Sequence, residues 1–143
     1  MATFLLKTEP DDYAFDDLVR DKSCTWDGVS NPQACAVLRS IAKGDEVYIY
    51  HTGNEKQIVG LAKVTKGAYA DPVSGGETTK SGEIRYPVVD LKPVRRATTP
   101  ITLKQIKDDE RFADFPLVRQ GRLSVMPVPP ELDKALRALT GLV

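Results

Sequence analysis

The residues best suited to bind a small ligand lie in one short segment, from Trp26 to Asn31. Trp26 is the only tryptophan of the chain, and a predicted loop begins there. Asn31 is a favourable helix N-cap, and Pro32 suits the first helical position after it. A large flat side chain is thereby held beside backbone N–H donors. This combination suits a pocket for a planar ligand that forms hydrogen bonds, such as a nucleobase.

The alternative for Trp26 is an ordinary core position. The replacement Trp26→Ala separates the two hypotheses, and we expect it to remove ligand binding and to leave the fold intact. Asn31 also has a structural alternative, because an N-cap needs only the side-chain oxygen. Its amide NH₂ group stays available to a ligand, so one residue can serve both purposes.

Two further segments are expected to complete the pocket. Lys7–Glu9 ends the predicted first strand, and His51 ends a second predicted strand. We expect Tyr48 and Tyr50 to face opposite sides of the strand, so at most one of them lines the pocket, and we select Tyr50 because it adjoins His51. The structural alternatives are a solvated Glu9 and a hydrogen-bonded, non-catalytic His51.

Catalysis and metal binding have little support in the sequence. Cys24, Cys35 and His51 are the only cysteine and histidine residues, and no C-x-x-C spacing is present. A Cys/His enzyme is the least favoured function, since neither cysteine lies in a catalytic pattern. We therefore expect two free thiols, no metal, no cofactor and no catalytic activity.

Length, composition and charge narrow the function further. The 143 residues predict one domain, residues 1–143, and we expect a monomeric cytoplasmic protein with no membrane contact. The 20 basic and 20 acidic residues give a net charge of zero. Broad binding to a phosphate backbone needs a basic excess, so this balance argues against it. It also leaves open a module that binds a small metabolite or a protein.

The chain alternates strand and helix patterns. The strongest strand is predicted for residues 46–51, which are apolar or aromatic on both faces, and another strand follows at 57–68. Gly60 within the second strand predicts a bulge or bend. Thr102 is expected to cap a short helix, and an apolar stripe predicts a last helix before Gly141. These elements predict an α+β protein with a small curled barrel.

The chain also resembles the EVE domain family. The resemblance rests on Leu6-Lys7-Thr8-Glu9-Pro10-Asp11-Asp12-Tyr13, Trp26-Asp27-Gly28-Val29, Gly44-Asp45, Tyr50-His51-Thr52, Ile58-Val59-Gly60, Leu117-Val118-Arg119-Gln120 and Arg122-Leu123-Ser124-Val125-Met126-Pro127. It implies a PUA-like curled β-barrel of mostly antiparallel strands with short peripheral helices. It also implies a non-catalytic nucleic-acid-binding module that accommodates a modified base of DNA or RNA. Bacterial stand-alone proteins and the thymocyte nuclear protein group belong to this family.

Together, the residues and the resemblance predict a ligand-binding set. Arg119 and Arg122 are either phosphate contacts or structural ties, and both alternatives stay open here. Ser30 stands where the family often has a basic residue, so we expect few phosphate contacts and a shallow salt dependence. The predicted ligand-binding residues are Lys7, Thr8, Glu9, Trp26, Gly28, Val29, Asn31, Tyr50, His51, Arg119, Arg122 and Ser124.

Overall fold

The computed structural model describes residues 1–142, and its strands form one six-stranded sheet in the order β2-β5-β4-β3-β1-β6. Four of the five strand pairings are antiparallel, and β1 runs parallel to β3. The strands are β1 (Thr3–Thr8), β2 (Cys24–Trp26), β3 (Glu46–His51), β4 (Gln57–Ala70), β5 (Pro87–Thr102) and β6 (Val125–Pro127).

The sheet curls into an open half-barrel because β4 and β5 are long and repeatedly bulged. One register shift lies between Ile58 and Gly60, which confirms the bend predicted at Gly60. The absence of a side chain there makes room for the Phe15 ring, since a Cβ on Gly60 would lie 2.5 Å from its Cζ atom. The predicted α+β, PUA-like fold class is confirmed.

Short helices surround the sheet, and several begin with the predicted caps. The Asn31 Oδ1 atom accepts from the Ala34 N–H at 3.0 Å, and the Thr102 hydroxyl accepts from the Gln105 N–H at 3.2 Å. Short 3-10 turns also occur at Pro72–Ser74 and Glu110–Phe112. The α-helices are α1 (Phe15–Asp21), α2 (Pro32–Arg39), α3 (Leu103–Lys107), α4 (Pro116–Arg119) and α5 (Pro130–Thr140).

Two details differ from the sequence-based expectation. Trp26 ends the edge strand β2 instead of beginning a loop, and only 8% of its surface is exposed. The sheet thus holds Trp26 in the core, so the predicted loop position of Trp26 is wrong. Tyr48 and Tyr50 are two positions apart in β3 and so face the same side of the sheet, where both are buried.

The core lies between the concave sheet and the helices. β3 is central, and five of its six residues are buried, as its two apolar faces predict. β1 lies beside it, so the carboxyl ends of these parallel strands, at Thr8 and His51, occur at the same edge of the sheet. None of the helices within residues 1–142 is long and apolar enough to cross a membrane.

Candidate functional site

A cavity of about 620 Å³ opens at the carboxyl end of β1, against β2 and the segment that leads into α2. We call it the main cavity, and its volume lies within the range of small-molecule sites. Eight of the twelve predicted ligand-binding residues line it. The complete lining is Lys7, Thr8, Glu9, Asp12, Tyr13, Cys24, Thr25, Trp26, Asp27, Gly28, Val29, Ser30, Asn31 and Ser124.

Two aromatic rings form one side of the main cavity. The Tyr13 and Trp26 centroids are 6.4 Å apart, and the ring planes meet at 86°, an edge-to-face contact. β2 holds Trp26, whose backbone pairs with Val89 of β5. The Tyr13 backbone is fixed as well, because its carbonyl oxygen accepts from the Thr8 hydroxyl at 2.7 Å. The pair is therefore a rigid apolar wall whose orientation is set by the sheet.

The segment from Gly28 to Asn31, which follows Trp26 in the chain, forms another part of the lining. Gly28 has a φ angle of +78°, and a Cβ added there would meet no other atom within 4 Å. The Val29 carbonyl oxygen accepts from the Cys35 thiol at 3.3 Å, which ties the segment to α2. The Asn31 side-chain oxygen caps α2. Its amide NH₂ group is not used in this cap and is available to a ligand. This side of the cavity offers polar donors and acceptors to the edge of a planar ligand.

The charge of the lining is acidic. Glu9, Asp12 and Asp27 contribute carboxylates, and Lys7 is the only cation among the lining residues. The Lys7 ammonium donates to the Gly121 carbonyl oxygen at 3.0 Å, and burial lowers the pKa of Lys7. Glu9 is held in place by the Thr52 hydroxyl, which donates to it at 3.3 Å. An anion inside the main cavity would face an excess of negative charge.

Cys24 lies beside the aromatic wall, and its thiol is a weak nucleophile. Burial, reinforced by nearby carboxylates, raises its thiol pKa to about 11. The Tyr13 hydroxyl donates to Asp21 at 3.0 Å, and burial also raises the pKa of this tyrosine. Since the thiolate is the nucleophilic form, Cys24 is largely unreactive near neutral pH.

Four predicted residues do not line the main cavity: Tyr50, His51, Arg119 and Arg122. Tyr50 is buried behind Lys7, whose ammonium lies 5.7 Å from its ring centroid. Arg119 bonds to the Asp114 carboxylate at 2.9 Å and to the Ala113 carbonyl oxygen at 3.0 Å, which favours the structural alternative. Arg122 is exposed and makes no ion pair with residues 1–142.

His51 has a structural role at the start of α1. Its Nε2 atom accepts from the Phe15 N–H at 3.0 Å, and its Nδ1 atom lies 2.9 Å from the Glu55 carboxylate. Because Nε2 accepts a hydrogen bond from Phe15, the matching tautomer carries its hydrogen on Nδ1, which donates to the Glu55 carboxylate. Both ring nitrogens are thus occupied by partners that are not nucleophiles.

Six lining residues were absent from the predicted set. Asp27 and Ser30 lie inside the predicted segment, and Tyr13 ends the first stretch that resembles the family, so the sequence already marked their surroundings. Asp12 lies in the same stretch, whereas Cys24 and Thr25 could not be placed on the cavity wall without the pairing of β2 with β5. Within residues 1–142, no group of three or more His, Cys, Asp or Glu side chains could hold a metal ion. The six residues are Asp12, Tyr13, Cys24, Thr25, Asp27 and Ser30.

Sequence comparison decides the family. A sequence model of the EVE domain matches residues 2–139. The chain belongs to the EVE domain family. Among curated relatives, this EVE domain is 31% identical to rat thymocyte nuclear protein 1 and 30% identical to the mouse protein, in both cases over 90% of the chain and 69% of the relative. For the chicken protein, at 28% identity over 90% of the chain, the match spans 64% of the relative, so the chain covers about two thirds of these proteins.

Solved structures share the same fold. Rpa0253 from Rhodopseudomonas palustris is 34% identical, has a TM-score of 0.87, and matches 100% of this EVE domain and 95% of its own chain. Human THYN1 has a crystal structure in complex with DNA that contains 5-methylcytosine. That chain is 26% identical, has a TM-score of 0.88, and is matched over 98% of both chains.

Proposed function

We propose that this EVE domain is a non-catalytic nucleic-acid-binding module whose main cavity accommodates a modified nucleobase. The observation that carries the proposal is the Tyr13–Trp26 wall together with the polar segment from Asp27 to Asn31, in one cavity of about 620 Å³. A base turned out of its strand needs an aromatic or apolar contact and hydrogen bonds to its edge. The human THYN1 complex with 5-methylcytosine DNA supports the same ligand class.

The acidic lining supports a base, and not a phosphate, as the group that enters. Asp12 and Asp27 are exposed carboxylates on the cavity, and carboxylates accept hydrogen bonds from exocyclic amino groups such as that of cytosine. The Asn31 amide NH₂ group supplies a donor for a base carbonyl oxygen, because only its side-chain oxygen is used to cap α2. The sugar and phosphates then remain outside the cavity, where the exposed Arg122 is a candidate contact because it follows Gly121, whose carbonyl oxygen accepts from Lys7.

The apolar wall supports preference for a methylated base. Trp26 is buried and Val29 is half-buried, so a methyl group placed between them leaves water. Burial of one such group is worth about 0.8 kcal/mol, which corresponds to an affinity ratio of about four. Cytosine methylated at C5 is the first base to test, because the human relative was crystallised with it.

The side chains also support a binding function over the Cys/His enzyme. His51 is held by Phe15 and Glu55, and the Cys35 thiol donates to the Val29 carbonyl oxygen. A nucleophile needs a base within hydrogen-bond reach, and His51 offers no free nitrogen to either thiol. The proposed role of this domain is accordingly recognition alone.

Titration of matched single-stranded DNA oligonucleotides, with and without one 5-methylcytosine, tests the proposal. Single strands avoid the cost of opening a duplex. We expect the methylated strand to bind about fourfold tighter or better, at every salt concentration. Contact with about two phosphates would give a slope of log affinity against log salt of about −1.4. A steep slope without preference for the methylated strand would show that a charged surface does the binding. Binding of the nucleoside alone, with no gain from a strand, would favour a small-metabolite module.

A further inference from the structure

A second, smaller cavity lies directly behind one wall of the main cavity. Its volume is about 200 Å³, and Gly28, Val29 and Ser30 line both cavities. We call it the Tyr86 cleft. Its lining residues are Gly28, Val29, Ser30, Asp71, Ser74, Tyr86, Pro87 and Val88.

The Tyr86 cleft has the surfaces that a flat aromatic ligand needs. Pro87 and Val88, at the start of β5, form a buried apolar floor, and the half-buried Tyr86 ring forms a side. Arg85 fixes that ring, since its guanidinium lies 5.6 Å from the ring centroid and its Nε atom donates to the Tyr86 hydroxyl at 3.2 Å. A base can therefore stack here without a rearrangement of the Tyr86 ring.

The polar groups around the Tyr86 cleft are largely occupied by the protein itself. The Asp71 carboxylate accepts from the Val73 N–H at 3.0 Å and from the Ser74 hydroxyl at 3.3 Å. The Tyr86 carbonyl oxygen accepts from the Asp71 N–H at 3.1 Å. The cleft thus offers stacking and apolar contact more than hydrogen bonds to a base edge, which is typical of contacts that tolerate any base.

Size and position indicate the occupant. A cleft of about 200 Å³ falls below the usual volume of an independent small-molecule site. Only the segment from Gly28 to Ser30 separates it from the main cavity, so one strand can place successive nucleotides on either side of this segment. The exposed Arg85 precedes Tyr86 and forms an ion pair with Glu77 at 3.6 Å, so the attraction of the cleft for a nucleotide comes from the ring and the apolar floor.

From this arrangement we infer that the Tyr86 cleft binds the nucleotide adjacent to the one in the main cavity, through stacking on Tyr86. The inference rests on the proposed function and extends it from one base to a dinucleotide. It predicts that an oligonucleotide gains affinity over a free nucleoside by more than phosphate contacts supply. It also predicts that the gain depends on a base, and not only a sugar and phosphate, at the adjacent position.

The test compares two ligands with the wild-type protein and three variants. The ligands are 5-methyl-2′-deoxycytidine, which fills the main cavity alone, and a short single-stranded oligonucleotide that contains it. Nucleoside binding is followed by the fluorescence of Trp26, and oligonucleotide binding by anisotropy. We expect Tyr86→Ala to weaken the oligonucleotide about tenfold or more and to leave nucleoside affinity unchanged. Tyr86→Phe keeps the ring and should bind the oligonucleotide within about twofold of wild type.

The matched control is Val73→Ser, because Val73 is 92% exposed on the neighbouring 3-10 turn and does not line the cleft. It should bind both ligands like the wild type. Wild-type oligonucleotide affinity in Tyr86→Ala would overturn the inference and leave the proposed function standing. Equal weakening of both ligands would also overturn it, since Tyr86 would then act through the fold. If the wild type binds neither ligand, the proposed function and the inference both fail.

Discussion

Truncation of Trp26 is the perturbation whose effect the structure defines best. Only 8% of the residue surface is exposed, and Trp26 packs within the main hydrophobic core. An aromatic side chain of this size buries about 150–250 Å², or roughly 4–6 kcal/mol at 25 cal/mol per Å². Measured tryptophan-to-alanine changes in cores cost about 3–5 kcal/mol. We therefore expect Trp26→Ala to lose about 3–5 kcal/mol and to melt roughly 10–15 °C lower.

The assay must separate stability from binding. Urea unfolding followed by circular dichroism gives the free energy of unfolding, and oligonucleotide anisotropy below the melting transition gives affinity. The matched variant Trp26→Phe removes about three heavy atoms, keeps an aromatic wall and should lose about 2 kcal/mol. We expect it to stay folded and to retain weakened binding. A Trp26→Ala protein that unfolds at the wild-type urea concentration would refute the burial argument.

Three further predictions test the packing at Gly60, the burial of Cys24 and the phosphate contact of Arg122. Gly60→Ala should cost about 1–3 kcal/mol in urea unfolding, because its Cβ would overlap the buried Phe15 ring. Cys24 should react slowly with iodoacetamide at pH 8, where a pKa of about 11 leaves roughly one thiol in a thousand as thiolate, and the rate should rise about tenfold per pH unit. Arg122→Gln should make the salt slope of oligonucleotide binding shallower by about 0.7, and Arg119→Gln should leave it unchanged, because Arg119 is already paired with the protein.

Each of these three predictions has a control and an outcome that would contradict it. For Gly60, the control is Gly121→Ala, where a Cβ meets no atom within 4 Å, and equal stability loss in both would contradict the steric argument. For Cys24, the control is a small free thiol, and equal reaction rates would show that the side chain is not buried. For Arg122, an unchanged slope would place the phosphates on another surface.

The sequence predicted the elements whose reasons are local. The Asn31 and Thr102 caps, the bend at Gly60 and the buried strand β3 follow from residue types at fixed spacing, and the structure confirms them. The short strand β2 has three residues, too few for a pattern, and exists because β5 pairs with it. The last part of β5, from Arg95 to Thr102, is rich in polar residues and is likewise a strand only because β4 pairs with it.

The candidate site also has parts that the sequence predicted and parts that depend on tertiary contacts. Lys7–Glu9 and the segment from Trp26 to Asn31 meet at one cavity, as their placement at element ends predicted. Tyr13 was missed because its position depends on the turn after β1, where its carbonyl oxygen bonds back to Thr8. His51 was placed in the pocket because it ends β3, but the start of α1 lies against it and takes its Nε2 atom.

The central claim is that a modified base occupies the main cavity, and the fluorescence of Trp26 tests it most directly. Trp26 is the only tryptophan, and it lines the main cavity, so the protein carries a single built-in probe at the proposed site. Titration with the 5-methylcytosine oligonucleotide should change this fluorescence in a saturable way, with the midpoint that anisotropy gives. The unmethylated strand should need about fourfold more ligand to reach the same change. Anisotropy that reports saturable binding while Trp26 fluorescence stays constant would place the nucleic acid elsewhere and contradict the claim.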